Sequence, residues 1–565
     1  MRFTRKTSNF EFRRKAGWAG CRVAALASIL ISALALNEAD AAPGSNLTVN
    51  PALRDLQQLQ DDVNRGRLER EIERRQQIRE SEAKPQMPNA EELAPSSFRF
   101  LLNDVTHTPS VVLRPEEIEA IVKPFLGKTV SMADLQKMLD GINALYREKG
   151  YAVCEARLAP QRIRNGKLFI TLVGGRTGRV GVEGARHTSE GFIAGALPLT
   201  PGEVANYREM SDALVRFNMT HDIELQVDLK AGAQAGTTDY TIVVNEPANW
   251  TATAFADSMG SPGTGRYRLG ASIAHRSLFG RRDSVNLLGM ASDGSQSLMA
   301  GYVFPLNSLG TRLSANLSLG EVENGQGGDV KGDSTFYSLR LEHPFYADIN
   351  GKLTGFFEWS RQQSETSFFG VTINDTQIDA CRLGLEHLHL TDATVTYGLV
   401  SVESAKAKEK TFNESWGQQI LKANLMWRLV LSPSWRASLT GSMQAVLGGD
   451  PLMSAQYFYL GNASGVRGYE NDFISAEDGA YANVEVSWAP PGSWFGAFAF
   501  LDAGRLGSRT PYSDRTLVSA GGGTTIALGD NIQLTGTAAF PLKRHFAHAE
   551  RIDGVRLDFS IIATW

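Results

Sequence analysis

Among the side chains able to do chemistry, Arg467 is the one least explained by its neighbours. It lies in the glycine-rich stretch Leu460-Gly461-Asn462-Ala463-Ser464-Gly465-Val466-Arg467-Gly468-Tyr469-Glu470. A guanidinium offers five donors and never loses its charge, so it needs acceptors. The nearest sequence candidate is Asp502, in Phe500-Leu501-Asp502-Ala503-Gly504. Either the two meet, or the loop is simply exposed and the carboxylate ends a strand. Their chemistry would be fastening, not catalysis. His387-x-His389 can put two imidazoles on one strand face, which is short of a metal site's ligand set. Gly521-Gly522-Gly523 lacks a phosphate-loop Lys and reads as turn or strand glycine placed between strands. Neither a Ser/His/Asp arrangement nor paired carboxylates are recognisable, so no enzyme, metal or cofactor is expected. Cys21, Cys154 and Cys381 are too far apart for a disulfide framework or a metal spacing. Cys154 and Cys381 are expected to be small buried or half-buried residues.

The elements around these residues follow from bulk properties first. A chain of 565 residues is expected to hold more than one domain. A net charge of −4, with no basic stripe in the C-terminal half, argues against a nucleic-acid partner. Arg2, Arg5, Lys6, Arg13, Arg14, Lys15 and Arg22 precede the apolar run from Val23 to Leu36. Ala39-Asp40-Ala41 then supplies a small-x-small cleavage site, so residues 1–41 read as a signal peptide. No comparable apolar run follows, and a membrane-integral mature chain would have to be a β-barrel. Residues 42–81 are charged, with Leu56, Leu59, Val63, Leu68, Ile72 and Ile78 at helical spacing. That stripe is too thin to bury against a core. The segment is either a solvated helix or spacer, or a helix in a polar, water-filled cavity. Residues 82–97 read as a linker.

Two small α+β units are expected next, at 98–176 and 177–247, each in the order β-α-α-β-β. In the first, helices are expected at Pro115–Pro124 and Met132–Lys149, and strands at Phe98–Val105, Ala152–Leu158 and Lys167–Val173. In the second, strands at Arg179–Val182, Glu224–Leu229 and Asp239–Val244 accompany helices near Ser189–Ala196 and Val204–Phe217. A small sheet with helices on one face leaves an edge suited to adding an extended chain. From residue 248 to 565 the period becomes two. Leu313, Ala315, Leu317 and Leu319 alternate with Ser314, Asn316 and Ser318, and Val484, Val486 and Trp488 with Glu485 and Ser487. About sixteen such strands, with aromatics near their ends and one polar face, fit a transmembrane barrel. The last strand puts Val555, Leu557, Phe559, Ile561, Ala563 and Trp565 on one face. A sandwich edge would expose all six to water. Strand counting places the long loop 447–479 between the eleventh and twelfth strands and Phe500–Gly504 on the thirteenth. Asp502 then shares a lumenal face with Phe498 and Phe500, an exception to the polar interior that suggests something packs there.

With these features in order, the chain resembles the two-partner secretion transporters (TpsB family), outer-membrane barrels carrying periplasmic POTRA domains. The resemblance rests on the N-terminal helix, the two α+β units, the sixteen strands, Val466-Arg467-Gly468-Tyr469 and Phe500-x-Asp502-x-Gly504. Gly150-Tyr151 through Leu158-Ala159-Pro160-Gln161 is similar to the family's first POTRA unit, with Ala159 replacing a Pro. The implied fold is mainly β: a 16-stranded antiparallel transmembrane β-barrel after a plug-like helix and two POTRA-like domains. The resemblance further implies that the long loop folds into the lumen and that Arg467 meets Asp502. It implies that Val466, Gly468, Tyr469, Phe500 and Gly504 serve the same structural or gating motif. Tyr151, Leu158 and Pro160 are the corresponding candidates for contact with an exported partner. The implied partner is a large exoprotein of adhesin or hemolysin type, caught unfolded in the periplasm. Outer-membrane lipids and, during biogenesis, the barrel-assembly machinery are the other partners. The alternative within the superfamily is a barrel-assembly insertase, which typically carries more POTRA units. A passive porin is disfavoured by the two units and the lumenal motif.

Overall fold

The computed structural model describes residues 51–82, 99–234, 236–261, 263–324, 330–411, 413–462, 465–508, 513–546, 552 and 554–565. The expected signal peptide and the linker, apart from Glu82, lie outside the described residues.

Pro51–Glu82 is a single helix of 32 residues, about 48 Å long at 1.5 Å per residue. A helix polar on most of its surface gains little from a core of its own. This one is held by the barrel that surrounds it. The apolar stripe that looked too thin to bury does find partners. Leu59 packs against Leu288, Met290 and Met299 on one side of the barrel. Ile72 packs against Leu388, Leu390, Val395 and Met426 on another.

The first α+β unit forms a three-stranded sheet from Asp104–His107, Lys167–Val173 and Glu155–Arg157, in that spatial order. Its long helix, Met132–Glu148, starts at a capping box in which Ser131 and Asp134 satisfy each other's backbone N–H groups. That helix buries Leu135, Met138, Leu139, Ile142 and Tyr146 against the sheet. The expected first strand is broken at Asn103, and its early part pairs instead with Lys128–Ser131. The second unit orders Arg176–Glu183, Thr237–Asn245 and Glu224–Ala231. Its main helix is Tyr207–Thr220, three residues later than expected, because the Asn206 side chain caps it by accepting from Arg208 and Glu209 N–H.

Sixteen antiparallel strands then close into a barrel, from Trp250–Asp257 to Arg556–Thr564. The closing seam pairs Thr253–Asp257 with Ser560–Thr564. Ala252 and Trp565 extend it by exchanging backbone hydrogen bonds. Leu269, Leu298, Leu383, Val400 and Leu557 all stand exposed on the outer face. So much apolar surface is suited to lipid and not to water. Aromatic side chains line the end nearest the α+β units: Trp250 against His275, Trp488 against Phe495, and the exposed Trp494 and Trp565. Tyr267 with Phe559 and Tyr337 with Trp359 stand toward the far end. Inward positions hold small polar residues such as Ser314, Ser318, Ser338 and Thr354.

Two expectations are corrected by the barrel. Gly521-Gly522-Gly523 lies inside the strand Thr516–Leu528, not between strands. A Cβ at Gly521 would meet the Phe500 ring at 2.5 Å, and one at Gly523 the Phe498 ring at 2.4 Å. The glycines make room for two lumenal aromatic rings. Cys381 is exposed, whereas Cys154 is buried as expected. Its odd-numbered register with Leu383 and Leu385 places it on the outer wall, where exposure means contact with lipid.

Candidate functional site

The chain between strands Trp435–Gly449 and Gly479–Trp488 turns back into the barrel. It is built as a hairpin, Phe458–Leu460 paired with Ile474–Ala476. Gln444 of the barrel wall fastens its base, donating to Gln456 O at 2.8 Å and Glu477 O at 2.9 Å. Just beyond the hairpin, Gly461 approaches the returning chain so closely that a Cβ would sit 2.2 Å from Glu470 O. Gly465 and Gly468 have φ of 112° and 94°, a region that side chains with a Cβ avoid. These glycines let the chain reverse at the described ends of the tip, and they aim Arg467 at the wall.

Arg467 and Asp502 meet. Nε donates to Asp502 Oδ2 at 2.8 Å and Nη2 to Oδ1 at 2.9 Å, while the Arg467 backbone N–H adds a third bond at 3.1 Å. The remaining terminal nitrogen donates to Glu485 at 2.8 Å, and the guanidinium lies 3.5 Å from the Phe500 ring centroid. Asp502 is fully buried. A two-pronged Arg–carboxylate pair stacked on an aromatic face fixes direction as well as charge. Asn483, opposite Asp502 in the neighbouring strand, donates to Gly465 O. The rest of the motif is packing. Val466 and Leu460 fill the space that Gly504 leaves, where a Cβ would be 2.9 Å from each. The Tyr469 hydroxyl lies 2.8 Å from Val518 O and 3.1 Å from Lys543 O, and its ring is buried among Phe473, Phe546 and Leu517.

The helix Pro51–Glu82 touches this loop and then runs to the other end of the barrel. Arg54 binds Asp472 on the loop through Nε at 3.3 Å and Nη2 at 2.5 Å, and stacks 3.6 Å from the Tyr459 ring. Gln57 donates to Ala455 O at 2.9 Å. Further along, ion pairs join Arg67 to Glu342 (3.3 Å), Glu71 to Lys352 (2.8 Å) and Glu69 to Arg428. The last turns reach the second α+β unit. Arg74 donates to Asn218 O and His221 O, and the fully buried Arg75 to Met219 O and Asp348 O. Those of Asn218, Met219 and His221 are carbonyls at a helix C-terminus, where cations are favoured, and that of Asp348 ends a barrel strand. The unit itself is tied to the barrel by Asp222, which accepts from Arg282 at 2.8 and 2.6 Å.

In the first unit Tyr151 and Leu158 are half-buried against its core, and Pro160 is exposed. Gln161 binds both the N–H and C=O of Phe169, at 2.9 and 2.7 Å. Its side chain thus occupies ladder positions where the short strand Glu155–Arg157 has ended.

A polar-lined barrel, a clasped inward loop and two α+β units are now assembled, and known proteins share the arrangement. The haemolysin secretion/activation protein ShlB/FhaC/HecB family matches residues 236–526, and the ShlB-type POTRA domain matches residues 100–175. The chain belongs to the ShlB/FhaC/HecB family. It is an outer-membrane transporter barrel with periplasmic POTRA architecture. The chain is 24% identical over 455 residues to the heme/hemopexin transporter protein HuxB of Haemophilus influenzae, covering 74% of this chain and 79% of HuxB. It is 22% identical over 464 residues to the outer membrane transporter CdiB of Dickeya dadantii, covering 78% and 81% of the two chains. The solved structure of CdiB from Escherichia coli superposes with a TM-score of 0.67 at 19% identity, covering 92% of this chain and all of that one. That likeness establishes the shared fold.

As a ShlB/FhaC/HecB-family barrel, the chain has its α+β units at the periplasmic end and the long loop rooted at the extracellular end. Three contributors to the site were not foreseen from sequence. Glu485 follows from its pairing register with Phe500, which puts it beside the guanidinium. Asp472 and Arg54 are ordinary charges in their segments, and nothing in their spacing announces that they meet. His387 and His389 do stack on one face, 6.1 Å apart, but on the outer wall, with Tyr346 bound to His387 at 2.9 Å. Among the described residues no group of three His, Cys, Asp or Glu could hold a metal ion.

Proposed function

We propose that the chain carries one large, unfolded exoprotein through its barrel, with the lumenal helix and the loop tip as movable occupants and with no catalytic step. In this reading residues 1–41 are the signal peptide, 42–81 the plug region, 98–176 and 177–247 the two POTRA units, and 248–565 the barrel. One observation carries it. The helix is held in the lumen mainly by ion pairs and single hydrogen bonds to a wall that is itself polar. Exposed or wetted ion pairs each contribute about 0–1 kcal/mol, so such an occupant gives up, on leaving, only these pairs and the small apolar contacts centred on Leu59 and Ile72. The sheet edges suit addition of an extended partner strand: Asp104–His107, and those parts of Glu155–Arg157, Arg176–Glu183 and Glu224–Ala231 left open by Asn143 on Ala156, residues 202–204 on Arg176 and Thr177, and Asn218 on Leu225. Tyr151, Leu158 and Pro160 flank the first of these units' edges, and Gln161 would yield its ladder positions to the incoming chain. Val466, Arg467, Gly468 and Tyr469, with Phe500, Asp502 and Gly504, act as the clasp that sets the loop's position. The test is deletion of the gene followed by analysis of the medium. Loss of one large secreted protein, with other outer-membrane proteins assembled normally, supports export. A general defect in barrel assembly would instead assign the chain to insertion.

A further inference from the structure

The outer wall carries a polar groove near its extracellular rim. Across strands Gly351–Phe368, Val371–Leu390 and Thr394–Glu409 the outward face is apolar up to Phe357, Leu383 and Val402, all exposed. Two residues nearer the rim, Trp359 and Ser404 flank Cys381; two further on, Arg361 and Lys406 flank Asp379. A groove of about 410 Å³ opens here, lined by Trp359, Asp379, Cys381, Ser404, Lys406 and Gly417. Gly417 keeps its floor open, since a Cβ there would meet nothing within 4 Å. Asp379 accepts from Arg361 Nε at 2.5 Å and from Gln377 at 2.9 Å. Both its oxygens are therefore engaged, one by the guanidinium and one by the Gln377 amide, and the guanidinium lies 6.0 Å from the Trp359 ring. Lys406 and Lys408 stand exposed on the same face.

The depth of this groove can be read along one strand. The His387–His389 pair, with Tyr346, marks the periplasmic boundary on Val371–Leu390. Asp379 is ten residues above His389. At about 3.3 Å per residue and a tilt of about 40° this is roughly 25 Å, the height of a barrel's apolar band. The groove lies at the head-group level of the outer leaflet.

We propose that Arg361 and Lys406 bind the phosphate group of a phosphorylated outer-leaflet lipid, with Trp359 against the start of its apolar part. Asp379 is a positioning residue that holds Arg361. An Arg fork beside a Lys point charge is phosphate-binding chemistry. An aromatic ring at the boundary suits a ligand that is polar at one end only. Asp379, between the two cations, is engaged by Arg361 and Gln377, and Lys408 adds a third cation to the face; nearer the rim Asp375 faces Glu365 and is already paired with Lys410 at 2.9 Å.

The test compares purified full-length chain with the double variant Arg361→Gln/Lys406→Gln in detergent, by native mass spectrometry. The probes are bis-phosphorylated lipid A and the same lipid dephosphorylated. Wild type should retain the phosphorylated lipid about tenfold better, and the double variant should lose that preference. Equal retention of the two lipids by wild type, or an unchanged preference in the double variant, overturns the site. Millimolar inorganic phosphate should not displace the lipid; if it does, the site is one for a free anion and the lipid assignment fails. Heat-modified gel mobility reports folding of each variant. Should the double variant not fold, Lys406→Gln alone changes one exposed side chain and should still cost about threefold in retention.

Discussion

Asp502 is fully buried, so removing the Arg467 side chain leaves its carboxylate without a countercharge, held from the loop only by the backbone N–H of residue 467, and leaves Glu485 without its guanidinium partner. Breaking a buried pair from one side costs roughly 3–5 kcal/mol, less where one partner is partly wet. Arg467 is partly wet, at 24% side-chain exposure. Arg467→Ala should therefore impair secretion while the barrel still inserts, as judged by exoprotein in the medium and heat-modified mobility. Asp502→Ala should do the same, and normal secretion by both variants would remove the clasp from the mechanism. Arg467→Lys keeps the charge but loses the fork and the stacking, and should behave nearer to Ala than to wild type. Gly521→Ala poses a different question. Its Cβ would come 2.3 Å from Ala538 O as well as 2.5 Å from Phe500. Overpacking of this kind costs about 1–3 kcal/mol, and the variant barrel should lose its folded gel mobility at a lower temperature.

At the level of elements, the helix Pro51–Glu82 is the part whose role depends most on its surroundings. Its removal should raise single-channel conductance in planar bilayers; an unchanged conductance would leave it a spacer. Its attachment to the second α+β unit also carries a pH signature. Burial chiefly, with the Arg312 charge adding to it, pushes the His221 imidazole down to about 3 from its usual 6.5. Folded His221 is thus neutral through the range in which an unfolded one would take a proton. Its contribution is full above about 6.5 and is lost progressively as pH falls toward 3. The ring stacks on Phe217 with centroids 4.1 Å apart, and the carbonyls that hold Arg74 and Arg75 are that of His221 itself and those of Asn218 and Met219 between the two rings in sequence. His221→Phe should keep the stack and flatten the acid dependence of this junction, read as protease resistance of the second unit in the full chain between pH 7 and pH 4.

For the whole molecule the closing seam is the shortest stretch of pairing in the barrel wall, from Thr253–Asp257 against Ser560–Thr564. Trp565 ends it, exposed among the other aromatics of the periplasmic girdle. Trp565→Ala should slow barrel assembly, followed as the rate at which the heat-resistant form appears in membranes. Much of the fold is legible because a barrel wall repeats one rule. Leu383, Leu385 and Val402 must face lipid and Ser314, Ser318 and Thr354 must not, so period two yields strand count, face and order without any long-range information. The same rule explains where reading failed. A lipid-facing Cys381 counts as exposed, and Gly521-Gly522-Gly523, read as turn or strand glycine between strands, is fixed as mid-strand only when the rings of Phe498 and Phe500 are placed above it.

The chain by itself determined the local chemistry: alternating strands, glycines where the loop must reverse, an Arg that needs acceptors and an Asp on a lumenal face. It also carried enough order among these features to show the family resemblance. Only the tertiary structure decided the pairings between distant segments. Arg54 with Asp472, Glu69 with Arg428, Arg75 with Met219 O, and Glu485 as the second acceptor for Arg467 all join residues whose separation is set by how the barrel closes. A single charge in a polar segment has many possible partners in sequence, and only a closed wall at fixed register leaves one within reach.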